Sequence, residues 1–311
     1  MNRSAYMQIA ALAREPEAVG RSVAYVKENM ARFLKKKEKV LICFRKEESS
    51  IAAILEQAIV QCECTPLWLG EDRRWMTILK LAFTSKCNCI IGSPLMLLGL
   101  SKLAKHLGTP LFARNVLLCG YPSAQWLMKG VETGLDCKSW GFFDPGIGAV
   151  IGGFSCGYGT GVHLRGEEYG VDIVDQQGRV LPSGEPGTVV LYPVEDPSVR
   201  FFTLERGRLE TSACGCGSHA PRLLDLDTDN GDYENISKIT DELHQWSSIL
   251  DCQIDKTEYG LVLELVVFKG EKLPKLPSAA KLTVRSFDPD TDEPFAHHER
   301  LKNRYFSADA H

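Results

Sequence analysis

The sequence predicts an α/β protein in three parts: a parallel α/β layer to about residue 140, a β-rich part after it, and a small α+β C-terminal domain. Three observations carry this. Short apolar runs of strand type alternate with helix-forming stretches over the first 140 residues. Beyond Gly141 the helices give way to short strands bounded by Gly, Pro and Asp. The end of the chain returns to one helix followed by strands.

Residues 7–33 carry apolar positions at mixed three and four spacings, which predicts one or two amphipathic helices ahead of the solvated run Lys35-Lys36-Lys37. Val40-Leu41-Ile42-Cys43-Phe44 is a buried strand type, and Ser49 or Ser50 can cap a helix that begins near Ile51. The unit repeats: strand 65–69 with helix 76–84, strand 89–91 with helix 94–107, strand 115–118 with helix 123–134. Alternation of this kind puts the strands parallel, since each helix carries the chain back to the starting edge. Residues 172–175 and 188–191 then read as strands around a turn-rich stretch with Gly178, Pro182, Gly184 and Pro186. The polar, acidic residues 225–235 read as a linker, dividing a core at 1–227 from a small lid-like C-terminal domain at 228–311. In that domain a helix is expected over 236–250 and strands over 261–268 and 281–287.

Composition narrows the function classes. The chain of 311 residues has a formal net charge of -4, which offers no basic field for nucleic acid or anionic lipid. The longest apolar runs, such as 90–100, contain Gly and Pro and fall short of the ~20 residues of a membrane span. Residues 1–17 lack the apolar stretch of a secretory signal, so the expected compartment is the cytoplasm. Eleven cysteines then read as reduced thiols, some of them metal ligands.

Cys156, His163 and the pair Cys214-Gly215-Cys216 offer three thiolates and one imidazole, the donor set of a closed tetrahedral structural zinc site. Gly157, Gly159, Gly161, Gly215 and Gly217 let the chain wrap closely around an ion. His219 is the alternative imidazole, and buried thiols acting as small hydrophobes are the alternative to a metal. Cys62, Cys64, Cys87 and Cys89 lie beside strand ends with no nearby His and read as core thiols rather than a second site.

Residues 92–222 carry a further set of motifs in order. They are Gly92-Ser93-Pro94, Leu118-Cys119-Gly120-Tyr121-Pro122, Ser139-Trp140-Gly141-Phe142-Phe143-Asp144-Pro145-Gly146, Leu181-Pro182-Ser183-Gly184-Glu185-Pro186-Gly187, and Val199-Arg200-Phe201-Phe202-Thr203-Leu204-Glu205. In this order they resemble the phenylacetate:CoA ligase branch of the adenylate-forming superfamily, shortened on the N-terminal side. The resemblance implies a partial adenylate-forming ligase core. It also implies adenine lying against Gly120, Tyr121, Pro122, Trp140 and Gly141, with Glu205 holding the ribose hydroxyls and Asp144 facing the phosphate-bound Mg. Lys302 is the match for that family's catalytic lysine. Relatives with a similar Cys and His pair ahead of a Cys-x-Cys support the same zinc ligands. Tyr121 stands where the family has Glu. Leu224-Asp225-Leu226-Asp227 stands in place of its Arg-Ser-Asp-Asp hinge. No counterpart of its Ser/Thr/Gly-rich, Lys-terminated phosphate loop is found, the nearest stretch being Glu47-Glu48-Ser49-Ser50.

Two function classes follow. One is a ligase that activates an organic carboxylate, aromatic in the branch it resembles, with ATP and passes it to CoA. Trp140, Phe142, Phe143, Tyr121 and Ile147 would line its acyl pocket, each with core packing as the alternative. The other is a non-catalytic nucleotide- or acyl-binding protein, or a subunit whose partner supplies the missing phosphate site. Homodimer and complementing subunit both stay open. A cysteine hydrolase is set aside for want of a thiol beside a His outside the zinc set.

Overall fold

A computed structural model describes residues 7–8, 11–12, 14–44, 51–120, 125–143, 152–158, 161–166, 168–228, 231–277, 279 and 281–295. Five strands, β1 (Lys39–Ile42), β2 (Thr65–Trp68), β3 (Cys89–Gly92), β4 (Asn115–Gly120) and β5 (Lys138–Phe143), lie parallel in the order β2-β1-β3-β4-β5. The helices between and around them are α1 (Pro16–Met30), α2 (Ala52–Gln61), α3 (Trp75–Ser85), α4 (Pro94–His106) and α5 (Gln125–Leu135). Val40, Ile42, Ile91 and Leu117 pack with α1 and α2 in one core, while Leu41, Ile90, Val116 and Leu118 pack with α3, α4 and α5 in another. Successive strand residues point to opposite faces, and both faces are covered, so the strands have to be apolar throughout. That double burial is why they were legible as continuous apolar runs.

At β5 the sheet changes character without breaking. β6 (Gly153–Phe154) runs antiparallel to β5, and β7 (Val162–Leu164), β11 (Arg222–Thr228), β10 (Phe201–Glu210), β9 (Pro186–Pro193) and β8 (Tyr169–Val174) follow as antiparallel neighbours. Phe143, Val162, Ile173, Val189, Leu191, Phe201 and Leu223 form the core of this half. A second sheet, β12 (Ile249–Thr257), β13 (Gly260–Val267) and β14 (Lys281–Ser286), follows helix α6 (Gly231–His244). No helix among the described residues is long and apolar enough to cross a membrane.

Three expectations change. The acidic linker at 225–235 is not a linker: Leu224-Asp225-Leu226-Asp227 lies within β11 and α6 begins at Gly231. Leu224 is buried and Leu226 packs on the β-rich core, so the alternation is that of a strand with one wet face. The stretch that replaces the hinge motif is therefore paired, Asp225 sitting at φ 49 and bonded to Arg208. Second, the helix expected over 236–250 ends at His244, and Ile249 opens β12. A register shift between Ile249 and Asp251 breaks the alternation there, and Ile249, Leu250, Asp251 and Cys252 are all buried, which hides the strand period. Third, residues 138–143, to which the sequence reading assigned no element, form a largely buried strand.

Candidate functional site

The four sulfur and nitrogen donors named from the sequence meet at one place. Cys156 follows β6, His163 is the middle residue of β7, and Cys214 and Cys216 sit in the turn between β10 and β11. Their donor atoms all lie within 4.8 Å of one another. That turn is tied by Cys214 N–H to Ser218 O at 3.0 Å and Gly217 N–H to Cys214 O at 2.9 Å, with Gly217 at φ 86. Opposite it, Gly161 holds φ 85, and a Cβ there would fall 2.3 Å from the carbonyl oxygen of Leu223 on β11. Only glycine lets β7 and β11 approach closely enough to bring His163 to the Cys-x-Cys turn.

Cys156 Sγ lies 3.6 Å from Cys214 Sγ, and Cys216 Sγ lies 3.4 Å from His163 Nε2. Tetrahedral Zn, with Zn–S about 2.3 Å and Zn–N about 2.0 Å, sets sulfur–sulfur separations of about 3.8 Å and sulfur–nitrogen separations of about 3.5 Å. The donor set is therefore compatible with a metal ion in both identity and spacing. His163 Nδ1 is 3.3 Å from the carbonyl oxygen of Ala220, which fixes the ring with Nε2 facing the thiols. Burial holds the His163 pKa below its ordinary value, so the imidazole is neutral, as a ligand must be. The backbone N–H of Cys216 lowers the Cys214 pKa, whereas burial raises that of Cys156. Either thiol of the Cys156–Cys214 pair can donate to the other across their 3.6 Å contact.

Other thiols stand apart. Cys64, Cys87 and Cys89 are buried, Cys64 Sγ donates to Lys35 O at 3.1 Å, and burial pushes Cys87 up to about 11. Among the described residues no second group of donors converges, and His219 is not one of the four that do.

The nucleotide elements are placed in part. Gly120 ends β4 beside Phe143, at the carboxyl edge of the parallel strands where ligands of open α/β sheets bind. Gly141 lies within β5, its N–H donating to Ser155 Oγ at 2.7 Å. Tyr121, Pro122, Asp144 and Lys302, as well as Ile147, lie outside the described residues. Glu205 is on β10, 5% exposed, paired across the ladder with Thr228, and its N–H donates to Thr203 Oγ1 at 3.1 Å. Trp140 is packed inside the protein, 6% exposed. Its ring stacks on Phe33 at 4.8 Å, its Nε1 donates to Asn115 Oδ1 at 3.1 Å, and Lys138 Nζ sits 4.5 Å from the ring centroid. Phe142 stacks on Phe154 at 4.5 Å and Phe143 is fully buried, so both serve the core rather than an acyl pocket.

Sequence reasoning missed a second meeting of Cys and His, in the C-terminal unit. His244, Asp251 and Cys252 are buried together, with Lys102 of α4 alongside. Nothing in their spacing announces it, because Lys102 is 142 positions from His244 and reads as an ordinary helix lysine.

No protein-family model matches the sequence, and no curated protein matches it. Solved structures do. The chain is similar to a 2-hydroxyisobutyryl-CoA ligase in its postadenylation state, bound to R3-HIB-AMP, with a TM-score of 0.64 at 12% identity over 94% of this chain and 72% of that one. The same ligase in its thioesterification state, with 2-HIB-AMP and CoA, gives 0.58 at 13% identity over 92% and 72%. A benzoate CoA ligase from Burkholderia xenovorans LB400 gives 0.60 at 12% identity over 90% and 65%. At these identities the likeness is one of fold: this chain has a partial form of the adenylate-forming ligase core, a mixed α/β body on a large sheet whose first half is parallel.

Proposed function

We propose that this protein is an adenylate-forming carboxylate:CoA ligase of the phenylacetate:CoA ligase type, activating an organic, aromatic acid with ATP. The observation that carries the reading is the ligase-core fold over 94% of the chain, shared with a protein solved bound to an acyl-AMP. In this reading adenine lies along Gly120, Tyr121 and Pro122 at the end of β4, with Gly141 beside them. Trp140, held by Phe33 and Asn115, supports β5 from within the core instead of stacking on the base. Glu205 accepts from the ribose hydroxyls, a task suited to a carboxylate fixed on a strand. Asp144 faces the Mg that accompanies the phosphates, and Lys302 offsets charge that builds as the carboxylate attacks. CoA is the acceptor. The chain divides functionally near residue 227, with the C-terminal unit as the second part.

Cys156, His163, Cys214 and Cys216 hold a structural zinc ion. The zinc supplies no chemistry to the reaction: four protein ligands leave no open position, so it pins the β6–β7 turn to the turn before β11.

A second reading has its own support. No Ser/Thr/Gly-rich loop ending in Lys occurs in the chain, and Glu47-Glu48-Ser49-Ser50 would repel phosphate. That favours a protein that binds a nucleotide or acyl ligand without turnover, or one completed by a partner subunit. Calorimetric titration with Mg-ATP and AMP, repeated with a panel of aromatic and aliphatic carboxylates while pyrophosphate is monitored, separates the two. Pyrophosphate released with one acid and lost in Glu205→Ala supports the ligase, binding without pyrophosphate supports the second reading, and no binding overturns both.

A further inference from the structure

Charge in this molecule is segregated. The net charge of -4 averages over the chain and hides a basic edge. In the order β2-β1-β3-β4-β5 the amino ends of the five parallel strands stand in one row, about 4.8 Å apart. Lys39 opens β1, Arg114 precedes β4 and Lys138 opens β5. The backbone ties this row together: Asn88 Oδ1 accepts from the N–H of Lys39 at 3.0 Å, Asn88 O from that of Arg114 at 2.9 Å, and Arg114 O from that of Lys138 at 2.9 Å. The segments that enter the strands here, 31–39, 62–65, 86–89, 107–115 and 136–138, carry eight Lys and Arg against three carboxylates. Of the three, Glu38 is buried against Arg114, Glu63 pairs with Lys36, and Asp136 is exposed. Lys35, Lys37, Lys39, Lys86 and Lys138 are exposed as well.

The same edge exposes apolar side chains. Leu107-Gly108-Thr109-Pro110-Leu111-Phe112 leads from α4 toward β4 without a charge. Leu107 and Phe112 are each 45% exposed, and Phe83, near the end of α3, is 40% exposed. The Phe83 and Phe112 rings lie 5.9 Å apart, with Lys86 Nζ 6.0 Å from the Phe112 centroid. Lys80, Lys105 and Arg114 are exposed on the segments that flank this tip. An apolar tip flanked by cations fits an anionic lipid surface, because the side chains can enter the acyl boundary while the ammonium groups meet headgroup phosphates. A nucleic acid duplex would take up the cations but offers nothing to Leu107 and the phenyl rings.

We propose that the amino edge of the parallel sheet is a docking face for an anionic membrane surface, with Phe83, Leu107 and Phe112 as the inserted tip and the lysine row as the electrostatic hold. The attachment is peripheral, since no helix among the described residues is long and apolar enough to cross a membrane. Docked in this way, the carboxyl edge, where Gly120 ends β4, faces away from the bilayer. Each Lys or Arg near an anionic surface contributes about fivefold in affinity, and salt screens that share. The inference does not depend on the ligase reading, because it uses the opposite edge of the sheet.

Co-sedimentation of the full chain with vesicles tests it, comparing pure phosphatidylcholine with phosphatidylcholine carrying about one third phosphatidylglycerol. Binding is expected to the anionic vesicles only, and to fall at least about tenfold on going to about 0.5 M salt. The variant Lys35→Gln/Lys36→Gln/Lys86→Asn changes exposed positions, with Asn chosen because Lys86 holds φ 52. It is expected to weaken binding about a hundredfold, and Phe112→Ser about tenfold, with Tm unchanged in both. Equal binding to neutral vesicles, no binding to anionic ones, or binding that both variants leave unmoved overturns the proposal. Tighter binding to a duplex oligonucleotide than to the anionic vesicles, weakened by the lysine variant but not by Phe112→Ser, gives the face to nucleic acid and overturns it too.

Discussion

Among the described residues a Cys–His contact occurs twice and means different things. Cys216 Sγ lies 3.4 Å from His163 Nε2, and Cys252 Sγ lies 3.2 Å from His244 Nδ1. At the first place two more thiols converge on the same point, carried by glycine-rich turns. At the second the next polar group, Asp251, sits on the opposite nitrogen of the ring, and Lys102 spends its protons on backbone carbonyls. Proximity alone does not make a metal site; convergence of lone pairs on one empty point does. The second cluster satisfies its own members pairwise and so serves packing between two units.

The sharpest way to break this comparison is to make the same substitution in both places. Cys214→Ser is expected to take bound zinc from one equivalent to near none by elemental analysis. With free zinc a thousandfold above Kd, the loss of stability is about 4 kcal/mol, read as a zinc-dependent fall in Tm. Cys252→Ser is expected to leave metal content unchanged and cost about 2 kcal/mol, because a hydroxyl replaces a thiol in a sealed site. Equal metal loss in both variants would collapse the distinction.

Asp251→Ala sharpens it from the other side. It removes the acceptor of two backbone N–H groups and strands His244 in a site with 1% exposure. Breaking a buried pair by deleting one partner costs about 3 kcal/mol or somewhat more. Urea unfolding should show that loss with zinc content intact, whereas a loss under 1 kcal/mol would mean that the cluster holds nothing together.

The pH dependence of Lys102 is a smaller effect with a definite sign. Burial lowers its pKa from the ordinary lysine value to about 8. Below about pH 8 the amine is charged in both folded and unfolded chains, and the folded state carries the desolvation penalty. Between about 8 and the unfolded value near 10.4 the folded chain releases its proton first, so the unfolded state binds more protons. Wild type should therefore gain stability relative to Lys102→Met as pH rises from 7 to 10, by about 2 kcal/mol or less. A flat difference would place the amine in water instead of between the two units.

What the sequence disclosed follows from how each element is buried. β1, β3 and β4 are covered on both faces and announce themselves as apolar runs. β11 turns Asp225 to solvent, so this stretch passed for linker chemistry although Leu224 and Leu226 kept the period of two. β12 was hidden by its bulge, which puts Leu250 toward α4 and Ile249 and Cys252 toward α6. The Cys156/His163/Cys214/Cys216 cluster was readable because its ligands fall in two short turn-rich stretches. The Lys102 cluster was not, because its meaning comes entirely from a seam between distant segments. Trp140 belongs to the same lesson: an aromatic beside glycine looked like a ligand platform, and Phe33, far away in sequence, takes its face.

Trp140 gives the smallest and most discriminating test, since it borders the candidate metal site through Lys138 and Gly157. Lys138 Nζ lies over its ring, and a Cβ placed on Gly157 would come 3.0 Å from that same Nζ. Trp140→Phe keeps a ring to pack on Phe33 but deletes the donor to Asn115 Oδ1. If Trp140 is a support inside the core, this removes one part-buried hydrogen bond, a loss of about 1 kcal/mol by urea unfolding, with AMP affinity and zinc content unchanged. If it is also an adenine platform, the same stability is lost and AMP affinity falls as well, because the indole's larger surface is gone. Measuring unfolding and AMP titration on the one variant assigns the ring, since only the platform role moves the AMP affinity.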